Sequence, residues 1–185
     1  MGTMKTQKKT GPRERILEVA DRLFYTEGVR ATGTEKIMSI SEVAKATFYR
    51  HFKSKDALVL AYLDRCGRAF WDYLLSPAPP ADVHEALVKL DRLANRPGVT
   101  GCPFLLVAAE YPDLAHPFHQ RVIEHKDKQI EYFVGMLNTV SVDRTIVATI
   151  LLNIINGSFT MRTVYGASKE VPLLSSAEAV LKSLS

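Results

Sequence analysis

Cysteine is scarce in this chain of 185 residues: Cys66 and Cys102 lie far apart and show neither CxxC spacing nor the density of a disulfide framework. That excludes a zinc finger and a disulfide-stapled module, and predicts two reduced thiols. Long apolar runs are missing as well; Phe104 to Ala109 ends after six residues, far short of a bilayer span. The basic amino end, with Lys5, Lys8, Lys9, Arg13 and Arg15, has no apolar run behind it before a helix begins. No secretory signal is visible, and a cytoplasmic chain without a membrane partner is expected. Internal repeats, low-complexity tracts and sustained period-two alternation are absent, which excludes fibrous, disordered and strand-rich classes. No nucleophile elbow, phosphate-cradling glycine loop, paired-carboxylate spacing or HExxH occurs, so nothing beyond a possible pocket supports an enzyme, and no cofactor is expected.

Charge of one sign is unevenly spread. Residues 1–60 hold twelve Lys/Arg against seven Asp/Glu, a balance of +5, whereas residues 61–185 balance at −1 within the total of +4. A basic segment joined to a nearly neutral remainder suits an anionic partner, with nucleic acid ahead of a membrane surface because no basic amphipathic anchor is evident. A solvated basic face on an ordinary domain gives the same count, and charge alone leaves both readings open.

Helical periodicity fills the chain. Ile16, Leu17, Ala20, Leu23 and Phe24 form one stripe between Arg13 and Glu27, and Gly28 stops it. Thr32-Gly33-Thr34-Glu35 reads as a capping box in which the Thr32 hydroxyl accepts from the Glu35 amide, opening a second, short helix. Val43 to Phe52, with Phe48 and Phe52 four apart, forms a third that ends near Lys53. Ser54 then caps a long fourth over about 55–75. Three prolines in Ser76-Pro77-Ala78-Pro79-Pro80 force a linker, and further helices are expected at roughly 82–95, 103–110, 114–140, 142–165 and 174–184. The fold class is all-α, with a three-helix amino-terminal bundle and a larger helical carboxyl-terminal domain.

Three short helices in a basic segment, with a tight turn before the third, describe a helix-turn-helix unit. The run Val43-Ala44-Lys45-Ala46-Thr47-Phe48-Tyr49-Arg50-His51-Phe52-Lys53-Ser54-Lys55 closely resembles the TetR family of bacterial transcriptional regulators. The likeness covers about residues 13–62, including the opening RERIL…A…LF…G…AT and the close TFYRHFKSKDAL. It implies a basic tail over 1–12, disordered or tag-like, then a DNA-binding domain over 13–60 and an effector-binding and dimerisation domain over 61–185. Burial of Phe48 and Phe52 turns the rest of the third helix outward, where Lys45, Ala46 and Thr47 meet base edges in a major groove. Thr32, Tyr49, His51 and Lys55 carry donors that suit phosphate, although Tyr49 and His51 serve equally well as packing for a small core. Two positions depart from the family pattern. Its usual turn glycine is Glu42 here and its capping serine is Ala44. Either Glu42 takes up a less favourable backbone, or Ser41 caps and the third helix starts earlier, with Glu42 in its first turn.

Past residue 62 the resemblance narrows to Gly101-Cys102-Pro103-Phe104-Leu105-Leu106-Val107-Ala108-Ala109-Glu110-Tyr111-Pro112-Asp113, a stretch similar to one found in one large branch of the family. The family implies a small-molecule effector of unknown identity and a homodimer on a pseudo-palindromic DNA operator. Effector binding would change the separation of the reading heads through the long fourth helix. Candidate pocket residues are Phe70, Trp71, Leu74, Leu87 and Leu90, followed by Phe104, Leu105, Ala108, Tyr111, Phe133 and Leu137; each also suits an ordinary core. Candidate interface residues are Leu151, Ile154, Ile155 and Ser158, with Val180 and Leu181, and burial inside one chain competes with that reading. His116 and His119 stand three apart, but Pro117 intervenes and no second ligand pair completes a site, so no metal is expected. The sequence therefore predicts a ligand-responsive repressor. A protein-interaction adaptor with a degenerate helix-turn-helix is the alternative, and an enzyme the weaker one.

Overall fold

The computed structural model describes residues 10–138 and 142–184, and among these the chain forms nine helices and no strand. Positions 1–9 of the expected tail, and 139 and 140 of the expected seventh helix, lie outside the described residues. The chain divides into two compact units, with the division inside the fourth helix between Asp64 and Arg65.

In the first unit, α1 (Pro12–Glu27) opens with proline at its first position, where a missing amide costs nothing, and buries Ile16, Leu17, Ala20, Leu23 and Phe24. Gly28 ends it at φ 90°, a backbone that disfavours any side chain. Helices α2 (Thr34–Ser41) and α3 (Lys45–His51) both pack on α1. The start of α4 (Lys55–Leu75) adds Leu58, Val59, Tyr62 and Leu63, all buried, and Tyr62 meets Phe24 edge to face at 5.4 Å. Ser54 caps α4 as expected, its Oγ accepting from the Ala57 amide at 3.1 Å.

The expected capping box at α2 does not form. Gly33 is the N-cap and supplies no side chain, while Thr32 is buried and donates its hydroxyl to the Gly28 carbonyl at 2.7 Å. The chain uses that hydroxyl to hold the turn after α1. Of the two arrangements left open for the α2–α3 turn, the strained one is present. Glu42 takes a left-handed backbone (φ 53°, ψ 46°), and Val43 N–H reaches back to Met38 O at 3.2 Å in a Schellman-type closure. Ser41 does not cap α3; it is buried at the end of α2 and donates to Ile37 O at 2.7 Å. Ala44 is the N-cap of α3 and offers no side-chain acceptor.

The second unit continues α4 and adds α5 (Val83–Ala94), α6 (Pro103–Glu110), α7 (Pro117–Met136), α8 (Arg144–Tyr165) and α9 (Leu173–Ser183). A reciprocal cap starts α5: Asp82 accepts from Glu85 N at 2.8 Å while Glu85 accepts from Ala81 N at 2.7 Å. Helix α7 begins later than residue 114 because Asp113 holds the preceding turn and Pro117 occupies its first helical position. α8 packs on α7, α5 and α9, and α5 also packs on α9. Their shared core includes Leu74, Leu87, Leu90, Phe133, Leu137, Leu151, Ile155 and Leu173. Polar side chains bind the ends. Asn95 exchanges two hydrogen bonds with the Val171 backbone at 3.0 and 3.1 Å, and Lys89 caps the end of α4 through the carbonyls of Leu74, Ser76 and Ala78.

Glu42 is exposed and its left-handed backbone costs about 1–2 kcal/mol, part of which a glycine recovers before its own unfolded-state entropy is counted. Glu42→Gly is expected to stabilise the protein by about 0.5–1 kcal/mol in urea unfolding. A lower midpoint would show that the glutamate side chain contributes more than its backbone costs.

Candidate functional site

Helix α3 is too short to hold itself together, and no side chain caps it, so its stability comes from what it buries. Phe48 and Phe52 are both buried, 6.3 Å apart between ring centres, and the Arg13 guanidinium lies over Phe52 at 5.2 Å. From α1, Arg15 donates its Nε to the Ser41 carbonyl at 3.3 Å, tying the end of α2 to the same core. With two rings fixed inward, the rotation of α3 is determined. Lys45, Ala46 and Tyr49 are exposed, Thr47 is half-buried, and Arg50 and Lys53 are exposed as well. The Tyr49 ring leans on Phe48 at 5.2 Å, which restricts the directions its hydroxyl can take.

This face carries cationic and hydroxyl donors beside a small residue, the combination that close approach to a nucleic-acid groove requires. Lys55 and His51 are half-buried, and His51 Nε2 is buried without a hydrogen-bond partner. Thr32 departs from its expected phosphate role, since its side chain is buried and its hydroxyl serves the Gly28 carbonyl. Arg50 and Lys53 went unselected in the sequence. Their signal was their place between and just after Phe48 and Phe52, on the side that the two rings leave open.

In the second unit the expected pocket residues separate. Leu74, Leu87, Leu90, Phe133 and Leu137 belong to the continuous core that holds the helices together. Tyr111 joins a different group at the α6–α7 turn, packing on His116 and Phe118, while its carbonyl meets His119 Nδ1 at 2.7 Å. Leu105 and Ala108 are half-buried on α6. Phe70, Trp71 and Phe104 do gather, and the residue they surround is His125, only 8% exposed. Phe104 stacks on the imidazole at 3.8 Å and 6°, Phe70 meets it edge-on at 5.4 Å, and Trp71 stands at 6.4 Å and also touches Tyr132 at 5.3 Å. Lys126 donates to Asn156 Oδ1 at 2.8 Å and to buried Gln129 Oε1 at 3.1 Å, and lies 3.8 Å from Cys102 Sγ. In the sequence, His125, Gln129 and Tyr132 follow helical spacing on α7, a polar interruption of a face otherwise apolar at Val122 and Phe133.

The expected interface residues separate as well. Leu151 and Ile155 are buried within the single chain, and Ser158 is buried with its hydroxyl on Ile154 O at 2.9 Å. Ile154, Val180 and Leu181 are half-buried. The face of α8 that stays open instead carries Ile146, Asn153, Gly157, Met161 and Val164, all exposed and none charged. No group of His, Cys, Asp and Glu with metal-binding geometry occurs among the described residues, and no helix there is long and apolar enough to cross a membrane.

Burial holds the His125 pKa at about 3, below the ordinary 6.5, and the neighbouring positive charges of Lys126 and Lys128 push it the same way. The imidazole is therefore neutral in the folded chain near pH 7. Because its folded pKa is depressed, its contribution is fully present above about pH 6.5 and is lost as pH falls towards 3, at up to about 1.4 kcal/mol per pH unit. His125→Phe retains a ring on Phe104 and is expected to flatten that acid limb in urea unfolding between about pH 7 and 4; an unchanged slope would assign the limb to other groups.

Residues 16–62 match the model of the family described as bacterial regulatory proteins, tetR family. Over 100 residues, the chain is 34% identical to the HTH-type transcriptional repressor Rv3405c of Mycobacterium tuberculosis, an alignment covering 54% of this chain and 53% of that protein. It is 26% identical over 110 residues to the HTH-type transcriptional repressor NemR of Escherichia coli, covering 56% of this chain and 55% of NemR. The chain thus spans about half the length of these curated relatives. Among solved structures, SCO4454, a TetR-family transcriptional regulator from Streptomyces coelicolor, aligns over 94% of this chain and 95% of its own with TM-score 0.85 and 29% identity. The corresponding values for a tetR-type regulator from Streptomyces avermitilis are 94%, 99%, 0.75 and 28%.

Proposed function

Since residues 16–62 match the tetR-family model, we propose that the chain is a TetR-type transcriptional repressor that reads an operator with α3 and releases it on binding a small molecule. The observation that carries this reading is the outward face of α3. Phe48 and Phe52 fix it, the family match spans it, and it exposes Lys45, Ala46 and Tyr49. In this reading Lys45, Ala46 and Thr47 meet base edges in the major groove, while Tyr49, His51 and Lys55 address phosphate, joined by exposed Arg50 and Lys53. Thr32 supports them by holding the α1–α2 turn.

Reading a pseudo-palindrome takes two copies of α3, and the uncharged open face of α8 suits a second copy of the chain. Gly157 lies on that face, and a side chain added there meets nothing within 4 Å of its first carbon inside the chain. The effector belongs in the second unit, around His125. No catalytic constellation is assigned to it.

Selection from a random duplex library, followed by anisotropy against scrambled DNA at several salt concentrations, tests the central claim. A pseudo-palindrome bound at least about a thousandfold more tightly than scrambled sequence is expected. No enrichment, with only steeply salt-dependent binding, would favour the adaptor reading. Lys45→Ala is expected to weaken the selected site by about 1–3 kcal/mol, and Tyr49→Phe to weaken matched and mismatched sites alike. A sequence-selective loss in Tyr49→Phe would move that hydroxyl from phosphate to a base. For the assembly, Gly157→Lys should keep the helical circular-dichroism spectrum yet sediment as a monomer; a dimer that persists would place the interface elsewhere.

A further inference from the structure

The cluster around His125 combines features that an apolar core does not need. Its imidazole is more than nine-tenths buried, and neither ring nitrogen has a hydrogen-bond partner among the described residues. At the far side of Trp71, the Tyr132 hydroxyl is fully buried and has no partner. A buried polar group of this kind costs free energy unless something satisfies it, so this hydroxyl and an imidazole without a partner, lining one aromatic array, point to a ligand.

Charge narrows its class. Lys126 and Lys128 are the two charges that act on His125. Lys126 is held by two amide oxygens, Lys128 lies over the Trp71 ring at 5.0 Å, and neither pairs with a carboxylate among the described residues. A cationic ligand would find aromatic faces but meet both ammonium groups. A neutral one would gain nothing from either. An anion gains from both and accepts from the imidazole N–H as well. The opposite end is different, because the charge acting on Tyr132 is the carboxylate of Glu85. The anionic group therefore belongs at the His125 end. Gly67 leaves the imidazole edge uncovered: a carbon added there would stand 3.7 Å from His125 Nδ1 and 3.6 Å from Phe104, ordinary contact distances.

We propose that this cluster binds a planar aromatic carboxylate, its ring among Phe70, Trp71 and Phe104 and its carboxylate beside His125 and Lys126. The proposal rests on the reading of the second unit as effector-binding. Trp71 is the single tryptophan of the chain, so its fluorescence reports on this cluster alone.

The full-length protein is titrated with trans-cinnamate, cinnamamide and cinnamylammonium, three probes that share one ring and differ in charge. Saturable quenching by cinnamate is expected, with at least about tenfold weaker binding of the amide and weaker still of the ammonium. Lys126→Gln is expected to abolish the preference of carboxylate over amide. Gly67→Ala is expected to weaken cinnamate several-fold while the protein melts no lower, because alanine favours the helix and its methyl group fits. Equal binding of acid and amide, or preference for the ammonium, would overturn the charge assignment; no saturable response to any probe would overturn the site. Operator anisotropy in parallel separates the two readings. Saturable quenching with unchanged operator affinity would keep the site and remove the effector role. Operator release by another small molecule with Trp71 silent would keep the effector role and remove this site.

Discussion

Burial of Phe48 and Phe52 is the interaction on which the first unit depends. A seven-residue helix without a side-chain cap does not persist in water, and burying two aromatic side chains supplies on the order of 3–6 kcal/mol where helix propensity supplies little. The same burial fixes the rotation of α3. Every residue on its outer surface is chosen by the positions of two rings on its inner one. The strained backbone at Glu42 follows from this constraint, since α2 must end and the chain must reverse within three residues for both phenylalanines to reach the core of α1. Arg15 and Thr32 complete the arrangement by satisfying the Ser41 carbonyl at the end of α2 and the Gly28 carbonyl at the end of α1.

In the second unit the principle is applied to polar groups. Asn95, Lys89 and Arg162 reach backbone carbonyls that no helix satisfies, so their burial or partial burial is compensated. His125 and the Tyr132 hydroxyl have no such partner among the described residues. The contrast separates residues that hold the bundle from residues available to something else.

Much of this was legible beforehand. The apolar stripe of α1, the span of α4 and the extents of α5 and α6 follow from periodicity and proline placement, because a helix face must meet a core and proline cannot continue a helix. The resemblance of the Val43–Lys55 run agrees with the match of residues 16–62 to the tetR-family model. Caps were less legible. Thr32 and Ser41 both have side chains fit to cap, and each turned back to a carbonyl in the preceding turn instead, a choice between local hydrogen bonds that composition does not reveal. Helix α8 posed a different difficulty: it is apolar nearly all round, so its sequence does not say which side meets α7 and which stays open.

The sequence by itself determined the helical class, the approximate extents of the helices and the basic character of the amino-terminal segment, because these depend on local propensity and on spacing along the chain. Only the tertiary structure decided that Leu151 and Ile155 serve the core, that Ile146, Gly157 and Val164 remain outside, and that Phe70, Trp71 and Phe104 converge on His125. Those outcomes depend on which faces of separate helices meet, and residues as far apart in sequence as Phe70 and His125 acquire a common environment only when the packed helices bring them together.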